Sequence, residues 1–186
     1  MRLFAAVLPP GEVLDELARV VDPLRRAGGD GLRWTGHAGW HFTLAFMGEV
    51  GEELLPELHA RLARAAHRTA PFPLRLHGAG QFSGHALWIG AAGGVDEIHL
   101  LAERADAAAR RSGVPMERHR RFTPHLTVAR SRARADLHPY TEALGSFEGA
   151  PWQVGELSLV RSTLPAHGVP GEQPRYDVVE AWPLAG

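Results

Sequence analysis

An α+β fold with mostly antiparallel sheets is what this sequence predicts, and three observations predict it. Short apolar runs of strand type recur along the whole chain. Two of them, Phe72 to Phe82 and Ala86 to Ala91, are joined through Ser83-Gly84-His85, a hairpin-like connection. Segments with helical periodicity are few and interleaved among these strands, which favours α+β over a doubly wound parallel sheet.

In chain order, Arg2 to Leu8 reads as a buried strand. After Pro9-Pro10-Gly11 comes a helical pattern with Val13, Leu14, Leu17, Val20, Val21 and Leu24 on one face. The glycine-rich turn at Gly28 to Gly31 leads to an extended piece at Leu32 to Thr35, then to a strand from Trp40 to Met47 that Gly48 ends. A second helix starts near Gly51. Glu52 and Glu53 stand in its first turn, Leu54, Leu58 and Leu62 recur along it, and Arg61, Arg64 and Arg68 lie toward its end, an order that suits the helix dipole. The hairpin comes next, then a third helix with Ile98, Leu101, Ala105 and Ala108 inward. Further strands are expected at His125 to Arg130, Trp152 to Leu164 and Arg175 to Trp182. Arg132 to Gly145 is polar and carries no clear pattern, and Pro165 to Pro174 reads as a flexible loop.

With 186 residues, 45% apolar and 22% charged, the chain is expected to be a single domain over 1–186, within which two small lobes fit. The apolar start before Pro9-Pro10 is too short for a signal peptide or membrane span, so a cytoplasmic protein is expected, with no membrane partner. The absence of cysteine removes disulfides, thiolate nucleophiles and Cys-containing metal sites. A net charge of -1 argues against a non-specific binder of long duplex nucleic acid but leaves a short or terminal one open. All 20 basic residues are arginine, which excludes a Schiff-base or P-loop lysine.

The chemistry is carried by a recurrence: His41-Phe42-Thr43-Leu44 and His125-Leu126-Thr127-Val128, each His-x-Thr with an aliphatic residue after it and each in an expected strand. In a strand, His and Thr two apart point to one face while the intervening residues point to the other. Two such strands facing one another assemble two imidazoles and two hydroxyls, a set suited to a phosphodiester. Displacement at phosphorus needs a base for the attacking water and an acid for the departing oxygen. Histidine serves either purpose near neutral pH, and the threonine hydroxyls can stabilise charge on the non-bridging oxygens. If both proton transfers are handled this way, neither metal nor cofactor is required. The near symmetry of the motifs does not assign acid and base.

The blocks Arg-Leu-Phe-Ala-Ala-Val-Leu-Pro from Arg2, Trp-His-Phe-Thr-Leu-Ala-Phe-Met-Gly at 40–48, Arg-Phe-Thr-Pro-His-Leu-Thr-Val-Ala-Arg at 121–130 and Arg-Tyr-Asp-Val-Val-Glu-Ala-Trp-Pro-Leu at 175–184 resemble the 2H phosphoesterase superfamily. Within it they resemble the bacterial and archaeal RNA 2',3'-cyclic phosphodiesterases once named 2'-5' RNA ligases. Departures are small: Val128 stands where leucine is usual, and Trp40 where Leu or Asn is often found. The resemblance implies a bilobal, pseudo-twofold fold, two mostly antiparallel sheets around a central cleft with helices on the outer faces. It implies metal-independent hydrolysis of an RNA-terminal 2',3'-cyclic phosphate to a 2'-phosphate, with His41 as general acid and His125 as general base, Thr43 and Thr127 holding the phosphate, and RNA 3' ends or small cyclic nucleotides as partners of a monomer.

Arg130 lies five residues beyond His125 and would face away from it in an ideal strand, yet the resemblance suggests that an arginine near this strand's end approaches the phosphate. Arg120 and Arg121 are expected on a solvated face, Phe46 and Phe82 in core packing rather than as stacking platforms for a base. His37 and His41 are four apart but in a turn-to-strand segment, which disfavours metal ligation. Alternative readings keep the chemistry on another cyclic phosphate or a 2'-5' linked nucleotide, with RNA-end ligation as the reverse reaction. A non-catalytic RNA-end binding module is a further alternative.

Overall fold

The computed structural model describes residues 1–28, 31–117, 121–166 and 172–186. Arg120 and much of the Pro165 to Pro174 segment, including Gly168 and Gly171, lie outside the described residues.

The alternation of β1 (Arg2–Val7) splits its side chains between two environments. Leu3, Ala5 and Val7 enter the main core, while Phe4 and Ala6 join Val160 and Tyr176 in a small second cluster on the opposite face. Pro10 caps α1 (Gly11–Ala27), which buries Val13, Leu17 and Val21 at four-residue spacing and leaves Val20 at the surface.

β1 is central to a four-stranded antiparallel sheet ordered β3-β1-β8-β9, with β3 at Phe42–Glu49, β8 at Glu156–Thr163 and β9 at Arg175–Pro183. The second sheet is ordered β2-β6-β5-β4-β7: β2 is Arg33–Trp34, β4 Phe72–Phe82, β5 Ala86–Gly93, β6 Leu126–Arg130 and β7 Trp152–Val154. The expected hairpin is β4-β5. Ser83 and Gly84 both take positive φ (52° and 72°), and the His85 N–H closes the turn on the Phe82 carbonyl at 2.8 Å.

Helices cover the outer faces. α2 (Leu55–His67) and α3 (Val95–Arg111) pack on each other and on the four-stranded sheet. α4 (His138–Leu144), within the stretch whose sequence carries no clear pattern, lies against β4 and β5. α1 is tied to the same side by Glu16, whose carboxylate accepts from the Ala150 N–H at 2.7 Å. The expected strand from Trp152 to Leu164 is two strands in different sheets. It breaks at Gly155, where the chain leaves the edge of one sheet for the interior of the other.

Candidate active site

The two His-x-Thr motifs come one from each sheet. β3 starts at Phe42 and β6 at Leu126, so His41 and His125 are each the residue before a strand rather than inside it as expected. Their rings stand at the strand mouths, half-buried, with Thr43 and Thr127 two residues on and also half-buried.

Beyond the threonine, both strands share one irregularity. Ala6 lies opposite Thr43 and Ala5 opposite Ala45, leaving Leu44 as an extra residue. Trp88 lies opposite Thr127 and Leu87 opposite Ala129, leaving Val128. Each motif is thus closed by a β-bulge, which resets the alternation by one. Leu44 with Ala45, and Val128 with Ala129, are buried as neighbours. The fifth residue after the histidine then returns to the threonine's face. In the second sheet Ala86 and Trp88, two apart on β5, lie opposite Arg130 and Thr127, which places Arg130 on the face of Thr127. The ideal-strand expectation that Arg130 faces away is therefore corrected by the bulge at Val128. In the first sheet Phe4 and Ala6 lie opposite Phe46 and Thr43 in the same way, and Phe46 stands where the second motif has its arginine. A cation is present there too, since the Arg2 guanidinium lies over the Phe46 ring at 4.7 Å.

Each imidazole is walled by aromatics. The His41 ring stacks on Phe4 (centroids 4.7 Å apart) and makes a T-shaped contact with Tyr176 at 5.3 Å. The His125 ring meets Phe82 at 4.9 Å and Trp88 at 6.1 Å. Phe46 and Phe82, expected in the core, are 50% and 40% exposed. Phe4, Trp88 and Tyr176 were not legible as site residues. An aromatic residue in a strand signals core packing by default, and which strand neighbours which is set by sheet order.

Electrostatics joins these groups. Burial, the Arg130 charge and the His125 charge together lower the His41 pKa from 6.5 to about 4. Burial also lowers that of His125. The Thr123 carbonyl, 2.7 Å from His125 Nδ1, acts in the raising direction, and Arg130 lowers it further. The Tyr176 hydroxyl is pushed up by burial, against the opposing pull of Arg130 and Arg2, and stays a neutral donor. Arg130 thus acts on His41, His125 and Tyr176 at once, and a negative charge entering the cleft would meet its guanidinium.

A carbonyl can only accept, so the Thr123 contact fixes the proton of neutral His125 on Nδ1 and leaves Nε2 with a free lone pair. The hydroxyls of Thr69 and Thr141 are spent on backbone carbonyls, whereas among the described residues those of Thr43 and Thr127 make no such bond. A groove of about 1140 Å³ runs from His125 along α3 and is lined by Phe82, His99, Glu103, Arg121 and Phe122 among others. Arg121 is exposed, as expected of a solvated face, and lines this groove. His37 bonds Asp22 at 2.9 Å instead of joining His41. Among the described residues no three His, Asp or Glu side chains converge as metal ligands. Nor, among them, is any helix long and apolar enough to cross a membrane.

Comparison with known proteins finds relatives and solved structures that match over nearly the whole chain. The model of the 2'-5' RNA ligase superfamily matches residues 13–165. An RNA 2',3'-cyclic phosphodiesterase of Thermus thermophilus is 34% identical over an alignment covering 100% of this chain and 91% of the relative. A crystal structure of a Thermus thermophilus protein superposes with a TM-score of 0.77 at 30% identity, covering 100% of this chain and 99% of the other. The crystal structure of E. coli LigT complexed with 3'-AMP superposes with a TM-score of 0.77 at 25% identity, covering 100% and 98%.

Proposed function

The chain belongs to the 2'-5' RNA ligase superfamily, and from that premise we propose that it is a cyclic phosphodiesterase that opens 2',3'-cyclic phosphates at RNA ends through His41 and His125. The observation that carries the reading is the arrangement of two His-x-Thr strand mouths, one from each sheet, whose imidazoles and Arg130 act on one another electrostatically.

In this reading the cyclic phosphate sits between the two motifs. Thr43 and Thr127 donate to its non-bridging oxygens, and Arg130 offsets its charge. His125 Nε2 takes a proton from water, whose oxygen forms the new bond to phosphorus. The bond from phosphorus to the 3' oxygen breaks, and His41 gives its proton to that oxygen, leaving a 2'-phosphate and a 3'-hydroxyl. His41 is neutral in the empty site, and the arriving phosphate anion supplies the charge that makes its protonated form favourable. Both proton transfers are met by imidazole, so the proposed mechanism includes no metal.

Two imidazoles together with two hydroxyls that make no hydrogen bond among the described residues exceed what a passive RNA-end binding module requires, and this favours turnover. The test is incubation of the purified protein, with EDTA present, with 2',3'-cyclic AMP and with a short RNA ending in a cyclic phosphate. The expected product is the 2'-phosphate from both substrates. Formation of the 3'-phosphate would reverse the leaving-group assignment, and turnover that EDTA abolishes would overturn the metal-free mechanism.

A further inference from the structure

A second, strongly cationic cavity lies on the far flank of α3. It measures about 270 Å³ and is lined by Arg61, Arg64, His67 and Arg68 of α2 and its end, by Arg104 and Arg111 of α3, and by two alanines, with no carboxylate on its wall. In a chain of net charge -1 this is a concentrated asymmetry.

Cations in the last turns of α2 and α3 answer in part to the helix dipoles, and Glu57 pairs with Arg61 at 2.6 Å and reaches Arg64 at 4.0 Å. Arg104 is structural: its Nη1 donates to the Arg68 carbonyl at 2.7 Å and to buried Thr69 Oγ1 at 2.8 Å, locking the end of α2 to α3. That leaves Arg68 and Arg111, both exposed, with no ion pair among the described residues. Both line the same pocket, Arg68 from the C-cap of α2 and Arg111 from the last residue of α3.

The placement of α3 links this pocket to the active site. Its residues His99, Glu103, Asp106 and Arg110 line the groove that starts at His125, and Arg104, Ala108 and Arg111 line the basic pocket. A helix with its side chains is about 10–12 Å across, so a single strand leaving the cleft can cross the C-terminal end of α3 within a few nucleotides. We propose that the α2/α3 pocket is a phosphate-binding exosite for RNA, holding the backbone of nucleotides upstream of the 3' end whose cyclic phosphate occupies the His41/His125 cleft. This rests on the reading of that cleft as a cyclic phosphodiesterase site. A substrate of one nucleotide ends before reaching the pocket, so the exosite acts on oligonucleotides alone.

The test compares Arg68→Ala/Arg111→Ala with the wild type on 2',3'-cyclic AMP and on a ten-nucleotide RNA ending in a 2',3'-cyclic phosphate, across a salt series. On RNA the double variant is expected to raise KM about tenfold at low salt with kcat unchanged. The salt slope should flatten by about 1.4, two contacts at roughly 0.7 each for a single strand. Hydrolysis of the cyclic mononucleotide should match wild type. Equal loss on both substrates would mean a folding defect and overturn the exosite, and so would an unchanged KM and salt slope on RNA. Failure of the wild type to hydrolyse either substrate is a different result, one that defeats the reading of the catalytic cleft.

Discussion

His125 Nδ1 lies 2.7 Å from the carbonyl oxygen of Thr123, two residues earlier in the chain. The bond is local: the coil that enters β6 folds its own carbonyl against the ring, so the tautomer is set by the same few residues that carry the motif. With Nδ1 protonated, Nε2 is the nitrogen available to water. His125→Ala and His41→Ala should each lower kcat on 2',3'-cyclic AMP by about 10²- to 10⁴-fold, the range for loss of a positioned acid or base. Steady-state hydrolysis of the two purified variants checks this, and full activity in either sinks the two-histidine mechanism.

The pH dependence comes from the directions of the two pKa shifts. The productive free enzyme has one imidazole protonated and the other neutral, and both groups are shifted below 6.5, His41 to about 4. The kcat/KM profile should therefore be bell-shaped, with its optimum and its alkaline limb below 6.5. Bound phosphate brings negative charge that favours both imidazolium forms, so the kcat profile should lie at higher pH than the kcat/KM profile. A kcat/KM optimum above about pH 7 would contradict the depressed imidazoles.

Arg130 is the shared cation, and removing it should separate binding from titration. Arg130→Ala is expected to raise KM for the cyclic nucleotide. It should also raise the His41 pKa of the free protein, because one of the causes that lower it is gone while burial remains. NMR titration of the His41 ring protons reads this directly. Arg130→Lys should restore the direction of the pKa effect but only part of the affinity, since an ammonium cannot replace a bidentate fork.

The paired motifs were legible because strand alternation needs no tertiary knowledge: His and Thr two apart share a face wherever the strand lies. Arg130 was not placeable on that rule. Its orientation depends on the bulge at Val128, a count of residues against the neighbouring strand that no single strand reveals. The same limit hid the aromatic walls. Tyr176 reaches His41 because β9 closes the sheet beside β8, and Trp88 reaches His125 because β5 neighbours β6. Gly155 reads in sequence as a residue within one apolar run, whereas in space it is the point at which the chain changes sheets.

Tyr176 and His41 meet ring to ring in a T-shaped contact, so the ring rather than the hydroxyl should matter for positioning. Tyr176→Phe is expected to keep most of the activity, and Tyr176→Ala to lose about tenfold in kcat as the imidazole loses a wall. The Ala variant should also let the His41 pKa rise toward 6.5, because burial is its largest depressing cause. Loss of activity equal in both variants would instead assign the work to the hydroxyl.

Gly80 supplies the last constraint on the second histidine. It sits on β4 directly opposite Trp88, and a Cβ built there would clash with Trp88 Cζ2 and Cη2. The clash is with an indole packed against both Phe82 and His125, ring centroids 5.2 Å and 6.1 Å away. A rigid bicycle cannot swing its far end clear as a flexible chain would. Gly80→Ala should therefore cost about 1–3 kcal/mol of stability by overpacking, seen as a lowered midpoint in urea. It should also lower kcat, because the displaced indole moves the surface that orients the His125 ring. Gly80→Ala/Trp88→Leu removes the clash with the indole and should recover stability more than activity, since the smaller side chain relieves the strain without rebuilding the wall. Recovery of both together would show that Trp88 only fills space.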